Sequence, residues 1–480
     1  MRHTIFLTGL CMLWITGLCR VQAQEEVTLT VPILFERAIP ADMDEVGEAV
    51  GKLVEEKIGV KVNLIAILYN TSSSTADQRQ RSELDLLEKK GIIFDVFPSA
   101  LYGKGFLPLD DLLKEDGKEI LELIGEERME LCKEGGVTWT VPSVSDYASS
   151  FGITMRKDLV DEWQIDLEAI ETIEDLDEVF ERIAGEDPEM ALVCSFRTRR
   201  GFVDRMKATK ILVDPICEKE EDSDRFVNYY ATEEYREMVS MFYRWNQKGY
   251  MPDTMPLQNL TGSSLVESGT LFSYFSPCKP SIEYEESISC GRKMVTIPLM
   301  EPMVTAYSLK STVHWGINEK CEDPKAAMQF LNLLYTDAEL VNLMIYGIEG
   351  VHYEIQEDGT IDYPEGVTEE NIGYQNTQPW FLPNQLISYV WKGNDPLVWE
   401  KTKKFNEEAK WQEGLDFQFD TQNVAKEMEQ LEKILKKYTY ALESGQVDPE
   451  IYLPMMLEEM EKAGAERVIE EVQRQWDTDF

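Results

Sequence analysis

The sequence predicts an α/β protein of two or three lobes, followed by a mainly helical C-terminal extension. Strand-like and helix-like segments take turns from Val27 onwards, which implies βαβ units and a mostly parallel sheet. The 480 residues exceed one ordinary domain, so the chain is expected to divide. Beyond residue 355 the alternation stops, and loop material gives way to long helical stepping. The expected divisions are 24–140 for the first part of lobe 1, 141–306 for lobe 2, 307–355 for the return to lobe 1, and 356–480 for the C-terminal region.

Val27 to Phe35 reads as a strand, and Asp44 to Lys57 as an amphipathic helix closed by Gly59. Val60 to Tyr69 is the next strand, Asp77 to Lys90 a helix closed by Gly91, and Ile92 to Pro98 a third strand. Val137 to Pro142, running into Ser143-Val144-Ser145-Asp146-Tyr147, is expected to cross into the second lobe. There Ser150 to Met155 reads as a strand and Leu159 to Trp163 as a helix, and Thr172 caps a further helix that ends at Gly185. Glu233 to Gln247 is helical, and Thr270 to Phe275 and Lys293 to Leu299 are strands.

Tyr307 to Tyr353 brings the chain back. Ser308 to Ile317 alternates β-branched and aromatic residues with polar ones and reads as a strand. A helix then starts with Asp323 as N-cap and Pro324 at its first position. A second follows, with Thr336 and Glu339 as a capping box and Gly347 as its stop. Asn371 to Asn394 is aromatic-rich loop. Val424, Met428, Leu431, Leu435, Tyr438 and Leu442 step by four and three, the pattern of a packed helix, and a final helical region follows Gly445.

A formal charge of -42, from 89 acids against 47 bases, argues against nucleic acid or anionic membrane as a direct partner. It fits a solvated surface, with a preference for cationic ligands as the alternative. The first 23 residues read as a secretory signal: Arg2, an apolar core from Ile5 to Leu18, and Val21-Gln22-Ala23 as the cleavage pattern. No other stretch approaches the ~20 apolar residues of a membrane span, so the expected location is extracellular or at the cell surface. Thr16-Gly17-Leu18-Cys19 and Thr8-Gly9-Leu10-Cys11 both depart from a lipobox, so the residues favour simple cleavage over lipidation of Cys19 or Cys11. None of the six later cysteines forms a CxxC pair. Cys278 and Cys290 are the pair to test as a disulfide, although separate buried thiols are the expectation in a chain this large.

Only His314 and His352 lie beyond the signal, which excludes HExxH, zinc-finger spacing and any three-imidazole site. No GxSxG elbow or Walker A motif is present, and Gly103-Lys104-Gly105 is too short for a phosphate loop. No cofactor or metal is expected, and no catalytic activity. A pair of carboxylates for glycoside hydrolysis stays open as the alternative, because 89 acids supply many accidental pairs. What stands out is aromatic residues at predicted strand ends and loops, with polar partners. Phe35, Tyr69 and Tyr102 follow strands of lobe 1, Asp146 and Tyr147 lie at the crossing, and Arg197 ends a short apolar run. Trp315, Tyr346 and Glu349 belong to the return segment, and Trp380 to the aromatic loop. Flat rings cover the C–H faces of sugars, while carboxylates, guanidinium groups and amides pair with hydroxyls.

The segments His314-Trp315-Gly316-Ile317-Asn318, Ala327-Met328-Gln329-Phe330-Leu331-Asn332-Leu333-Leu334-Tyr335-Thr336-Asp337 and Gly347-Ile348-Glu349-Gly350-Val351-His352-Tyr353 carry a family resemblance. So do Ala41-Asp42-Met43-Asp44-Glu45-Val46, Phe106-Leu107-Pro108-Leu109-Asp110-Asp111, Met155-Arg156-Lys157-Asp158-Leu159, Pro383-Asn384-Gln385 and Val447-Asp448-Pro449-Glu450. Together, from residue 27 to the C-terminus, the chain resembles the extracellular solute-binding proteins of bacterial ABC importers. Within the carbohydrate-type family 1 it resembles a Firmicutes lipoprotein subgroup with an extra C-terminal region. The resemblance implies a type II periplasmic-binding-protein fold with two α/β lobes around a cleft, capture of a carbohydrate (an oligosaccharide) by hinge closure, and delivery to ABC transporter permease subunits. The crossings Val137–Asp146 and Tyr307–Trp315 would be the hinges. It implies a lipoprotein, at odds with the poor lipobox, and a monomer is expected. A binding protein that feeds a sensor shares this fold and remains the third reading.

Overall fold

The computed structural model describes residues 27–36, 38–69, 84–194, 212–213, 215–220, 223–252, 261–305, 308–309, 312–415 and 417–479. The signal segment, residues 77–83 of the expected second helix, Arg197 and Tyr307 lie outside them.

β1 (Thr28–Phe35) pairs in parallel with β2 (Lys61–Leu68), in register from Thr28↔Lys61 to Phe35↔Leu68. Between them runs α1 (Met43–Ile58), which opens with Asp44 and Glu45, where the helix dipole favours carboxylates. It buries Met43, Val46, Val50 and Val54 at helical spacing and stops at Gly59, whose φ of 70° glycine adopts without a Cβ clash. β3 (Val96–Pro98) is shorter than the predicted Ile92–Pro98 because Asp95 takes over the pairing to β1. The Asp95 N–H donates to Thr30 O at 2.8 Å, and its carboxylate accepts from the Thr30 N–H at 2.8 Å. α2 (Ser99–Tyr102) closes on Gly103, and β4 (Val141–Pro142) leads out of the lobe.

In the second lobe β5 (Ser150–Arg156), β6 (Ala191–Cys194), β7 (Leu271–Cys278) and β8 (Met294–Pro298) form one sheet in the order β8-β5-β7-β6. β5 is antiparallel to both neighbours, and β6 is parallel to β7. α3 (Glu233–Gln247), capped by Thr232, packs Phe242 and Trp245 against this sheet. After β9 (Met303–Val304) the chain returns through β10 (His314–Ile317), antiparallel to both β3 and β4. The sheets are therefore mixed, which corrects the mostly parallel expectation: a strand entering from the opposite lobe must run against its neighbours.

The returning strand is also shorter than Ser308–Ile317. Thr305 and Ser308 exchange hydrogen bonds, Thr305 N–H to Ser308 Oγ at 2.9 Å and Ser308 N–H to Thr305 Oγ1 at 3.1 Å, and residues 308–309 turn helically. Local side-chain bonds outcompete a ladder there. α4 (Pro324–Thr336) is capped by Asp323 as expected. α5 (Ala338–Tyr346) is capped by Asp337 rather than Thr336, whose hydroxyl instead donates to Asn332 O at 2.8 Å. Gly347 ends α5. Thr172 caps nothing: the helix Asp175–Ile183 begins later, and Asp175 accepts from the Thr172 N–H at 2.8 Å.

Two large apolar cores result. One gathers β1, β2, α1, α4 and α5 with Trp315, Ile361, Tyr374 and Leu382. The other gathers β5, α3 and Phe275 with Phe417 and the three terminal helices, α7 (Ala425–Glu443), α8 (Pro449–Ala463) and α9 (Ala465–Asp479), numbered after α6 (Val398–Glu408). The C-terminal region thus divides, its aromatic loop packing on the first core and its helices on the second. None of the six described cysteines is joined in a disulfide, so Cys278 and Cys290 remain separate thiols.

Candidate ligand-binding cleft

Among the described residues, three segments run between the two cores, and they are hydrogen-bonded side by side. The first follows β4 through residues 143–149; the second runs from β9 to β10. The third is α6 with β11 (Lys410–Trp411), which pairs in parallel with β9. Ser149 and Met303 exchange backbone bonds at 2.9 and 2.8 Å, linking first to second. The Asn406 carboxamide on α6, 2% exposed, accepts from the Ala148 N–H at 3.0 Å and donates to Ser145 O at 2.8 Å, linking first to third. The sequence reading named crossings at Val137–Asp146 and Tyr307–Trp315 and none near α6.

Asp146 and Tyr147 lie on the first crossing. Asp146 pairs with Lys279 at the end of β7 (2.9 Å), and Lys279 also meets Glu285 at 2.8 Å. Burial alone would lower the Lys279 ammonium, but the two carboxylates outweigh it and hold it above the usual lysine range. The Arg128 guanidinium, 5% exposed, stacks 4.0 Å over the Tyr147 ring and donates to Ser143 O at 3.2 Å. His314 opens the returning strand with its Nδ1 3.3 Å from the Thr140 hydroxyl. Burial pushes its imidazole down to about 4, against a backbone bond to Leu309 and with some repulsion from Arg128, so it is neutral near pH 7.

At the carboxyl ends of the lobe 1 strands, where open α/β sheets place their ligands, a separate apolar shelf forms from Leu34, Ile67, Phe94, Phe97, Leu101, Phe106 and Phe381. Tyr69 sits edge-on to Phe381 at 4.9 Å, and Trp380, 44% exposed, lies beside the same ring. Tyr102, 39% exposed, stands edge-on to Phe97, which stacks on Phe106 at 4.6 Å. Gly316 lets Phe106 lie flat across β10, since a Cβ there would collide with that ring. Partial burial raises the Tyr102 phenol, helped by Glu88 and Asp85. It is protonated and able to donate as well as accept.

Beside the shelf is a cavity of about 470 Å³ whose walls include Lys104, Phe106, Lys133, Trp139, Thr140 and His314 from lobe 1, and Gln418 from the C-terminal region. Small-molecule pockets span roughly 300–1,000 Å³. Larger surface concavities exist, one of about 1090 Å³ where α8 and α9 meet residues 220–233, and its walls include no residue of the three crossings.

The structure brings Tyr69, Tyr102 and Trp380 together around the shelf and puts Asp146 and Tyr147 on the crossing. It does not present Phe35, Trp315 or Tyr346 to a ligand. Phe35 is buried edge-on to Tyr374. Trp315 is 1% exposed, its indole N–H donating to Phe381 O at 2.7 Å, and so braces the loop that carries Trp380. The Tyr346 hydroxyl donates to Tyr389 O at 2.7 Å inside an aromatic group with Tyr353 and Trp391. Glu349 is exposed in the turn after α5. Arg197 lies outside the described residues. Sequence reasoning missed Trp139 and Gln418; Trp139, between Thr138 and Thr140 ahead of the crossing strand, offered a signal in its position.

The profile of a domain of unknown function, DUF3502, matches residues 413–478. A protein of Streptococcus pneumoniae serotype 4, a carbohydrate ABC transporter substrate-binding protein, is 23% identical over 452 residues, covering 91% of this chain and 88% of that protein. The crystal structure of the N-glycan transport solute binding protein NgtS from S. pneumoniae superposes with a TM-score of 0.76 at 20% identity, over 94% of this chain and 99% of that one. The same protein in complex with Man5GlcNAc gives 0.61 at 20% identity, over 94% and 98%. The chain has the fold of the periplasmic solute-binding proteins, and along nine-tenths of its length it is similar in sequence to one carbohydrate ABC transporter substrate-binding protein.

Proposed function

We propose that this chain is an extracytoplasmic receptor that captures an oligosaccharide between two lobes and hands it, unaltered, to the permease of an ABC importer. The observation that carries the reading is the apolar shelf flanked by the exposed rings of Tyr102 and Trp380, next to a cavity lined by lobe 1 residues and by Gln418 of the C-terminal region. Such rings cover the apolar faces of a sugar, and amides and hydroxyls address its rim. NgtS has been solved in complex with Man1GlcNAc and Man5GlcNAc, which makes these two glycans the first probes.

The lobes run over 24–140 with 307–355, and over 141–306, with the aromatic loop joined to the first and the terminal helices to the second. Export uses the N-terminal signal with simple cleavage, and no described helix is long and apolar enough to cross a membrane. The protein acts as a monomer and without catalysis, in line with relatives that are binding proteins. A thermal-shift panel of neutral oligosaccharides, including Man1GlcNAc and Man5GlcNAc, tests this. A ligand at 100 times its Kd adds about 2.7 kcal/mol of stability, so one member should raise the melting temperature by several degrees. No rise with any member would overturn the reading.

A further inference from the structure

We infer that the C-terminal region supplies a ligand contact, with Gln418 reaching across the inter-lobe cavity to hydrogen-bond a neutral polyhydroxy ligand opposite Trp139. This rests on the cavity being the sugar site proposed above. Residues 413–478 match a domain of unknown function, and their helices alone would explain them as packing. The segment 417–420 says otherwise. It carries no helix, and its side chains alternate: Phe417 is buried, Gln418 exposed, Phe419 packed on the same core as Phe417, and Asp420 exposed. An extended chain sends successive side chains to opposite sides. With Phe417 and Phe419 anchored in the lobe 2 core, Gln418 must face away from it, and it lines the cavity whose other walls belong to lobe 1.

The segment is held firmly enough to aim that side chain. The Phe417 ring packs against Trp476 at 5.2 Å and Phe226 at 6.5 Å. The Phe417 N–H donates to Gly414 O at 3.0 Å, and Gly414, φ 66°, lies so close under the Trp476 ring that a Cβ would collide with it. Gln475 on α9 clasps Asp420 twice, its Oε1 accepting from the Asp420 N–H at 2.8 Å and its Nε2 donating to Asp420 O at 2.9 Å. A primary amide offers a donor and an acceptor side by side, the complement of two vicinal hydroxyls, and carries no charge to favour an ionic ligand. Trp139 and Phe106 on the facing wall provide the flat surface for the same sugar unit.

The experiment is a calorimetric titration of wild-type protein and of Gln418→Ala with mannose- and glucose-based neutral oligosaccharides of one to five units. Loss of one neutral hydrogen bond corresponds to about three- to tenfold weaker binding. That is the expected result for Gln418→Ala, with the melting temperature of the unliganded variant unchanged. Equal affinity of variant and wild type overturns this inference and leaves the saccharide reading standing. A melting temperature lowered by several degrees without ligand also overturns it, since Gln418 would then be part of the packing. If wild-type protein binds no member of the panel, the saccharide reading falls and this inference falls with it.

Discussion

Removing the Asn406 carboxamide tests whether the third crossing holds the first in place. Asn406 is 2% exposed and bonds both Ala148 N–H and Ser145 O, at 3.0 and 2.8 Å. Both of those residues are buried, so Asn406→Ala leaves a donor and an acceptor without water or a new partner. Each orphaned group costs about 1–2 kcal/mol, which puts the substitution at about 2–4 kcal/mol. For a cooperative unit the size of one lobe this lowers the melting temperature by about 5–10 °C. Asn406→Asp keeps the acceptor for Ala148 but sets a carboxylate against the Ser145 carbonyl, and should cost at least as much. Differential scanning calorimetry of the unliganded protein reads both. A fall of less than about 2 °C for Asn406→Ala would refute the reasoning, because the crossing would then satisfy its own backbone.

Trp315→Ala should cost about 3–5 kcal/mol, because it opens a cavity in the core and orphans the Phe381 carbonyl; unchanged stability with only weaker binding would show that the ring meets ligand instead. Tyr102→Ala should do the reverse, leaving the unliganded melting temperature within about 2 °C of wild type while weakening saccharide binding. His314 protonates near 6.5 in the unfolded chain but only at about 4 when folded, because burial disfavours its charge. Its contribution is full above pH 6.5 and is lost as the pH falls through 4, up to about 3 kcal/mol. His314→Gln should flatten that part of the stability curve relative to wild type. Gly316→Ala should be destabilised by displacement of Phe106, seen as a lower melting temperature and altered near-ultraviolet dichroism.

What the sequence made legible followed from local chemistry. α1 with its Gly59 stop, α4 with Asp323 and Pro324, and the stepping of α7 were all visible because capping and periodicity act within one turn of chain. The strands shrank where side chains intervened: Asp95 displaced the start of β3, and the Thr305–Ser308 exchange displaced the start of β10. The aromatic candidates split on a property that spacing does not carry. Tyr102 and Trp380 are exposed, whereas Trp315, with equal claim from its position, is sealed under Phe381 because β10 is central in its sheet, flanked by β3 and β4. Asn406 and Gln418 were hidden because their roles depend on partners more than 250 residues away or across the cleft.

Small-angle X-ray scattering of the protein with and without a saturating oligosaccharide tests the capture of sugar between two lobes most directly. Closure of the lobes on the sugar gives a smaller radius of gyration with unchanged molecular mass, and the sugar is recovered intact. Bound sugar with no change in dimensions, or sugar recovered as cleavage products, would contradict it.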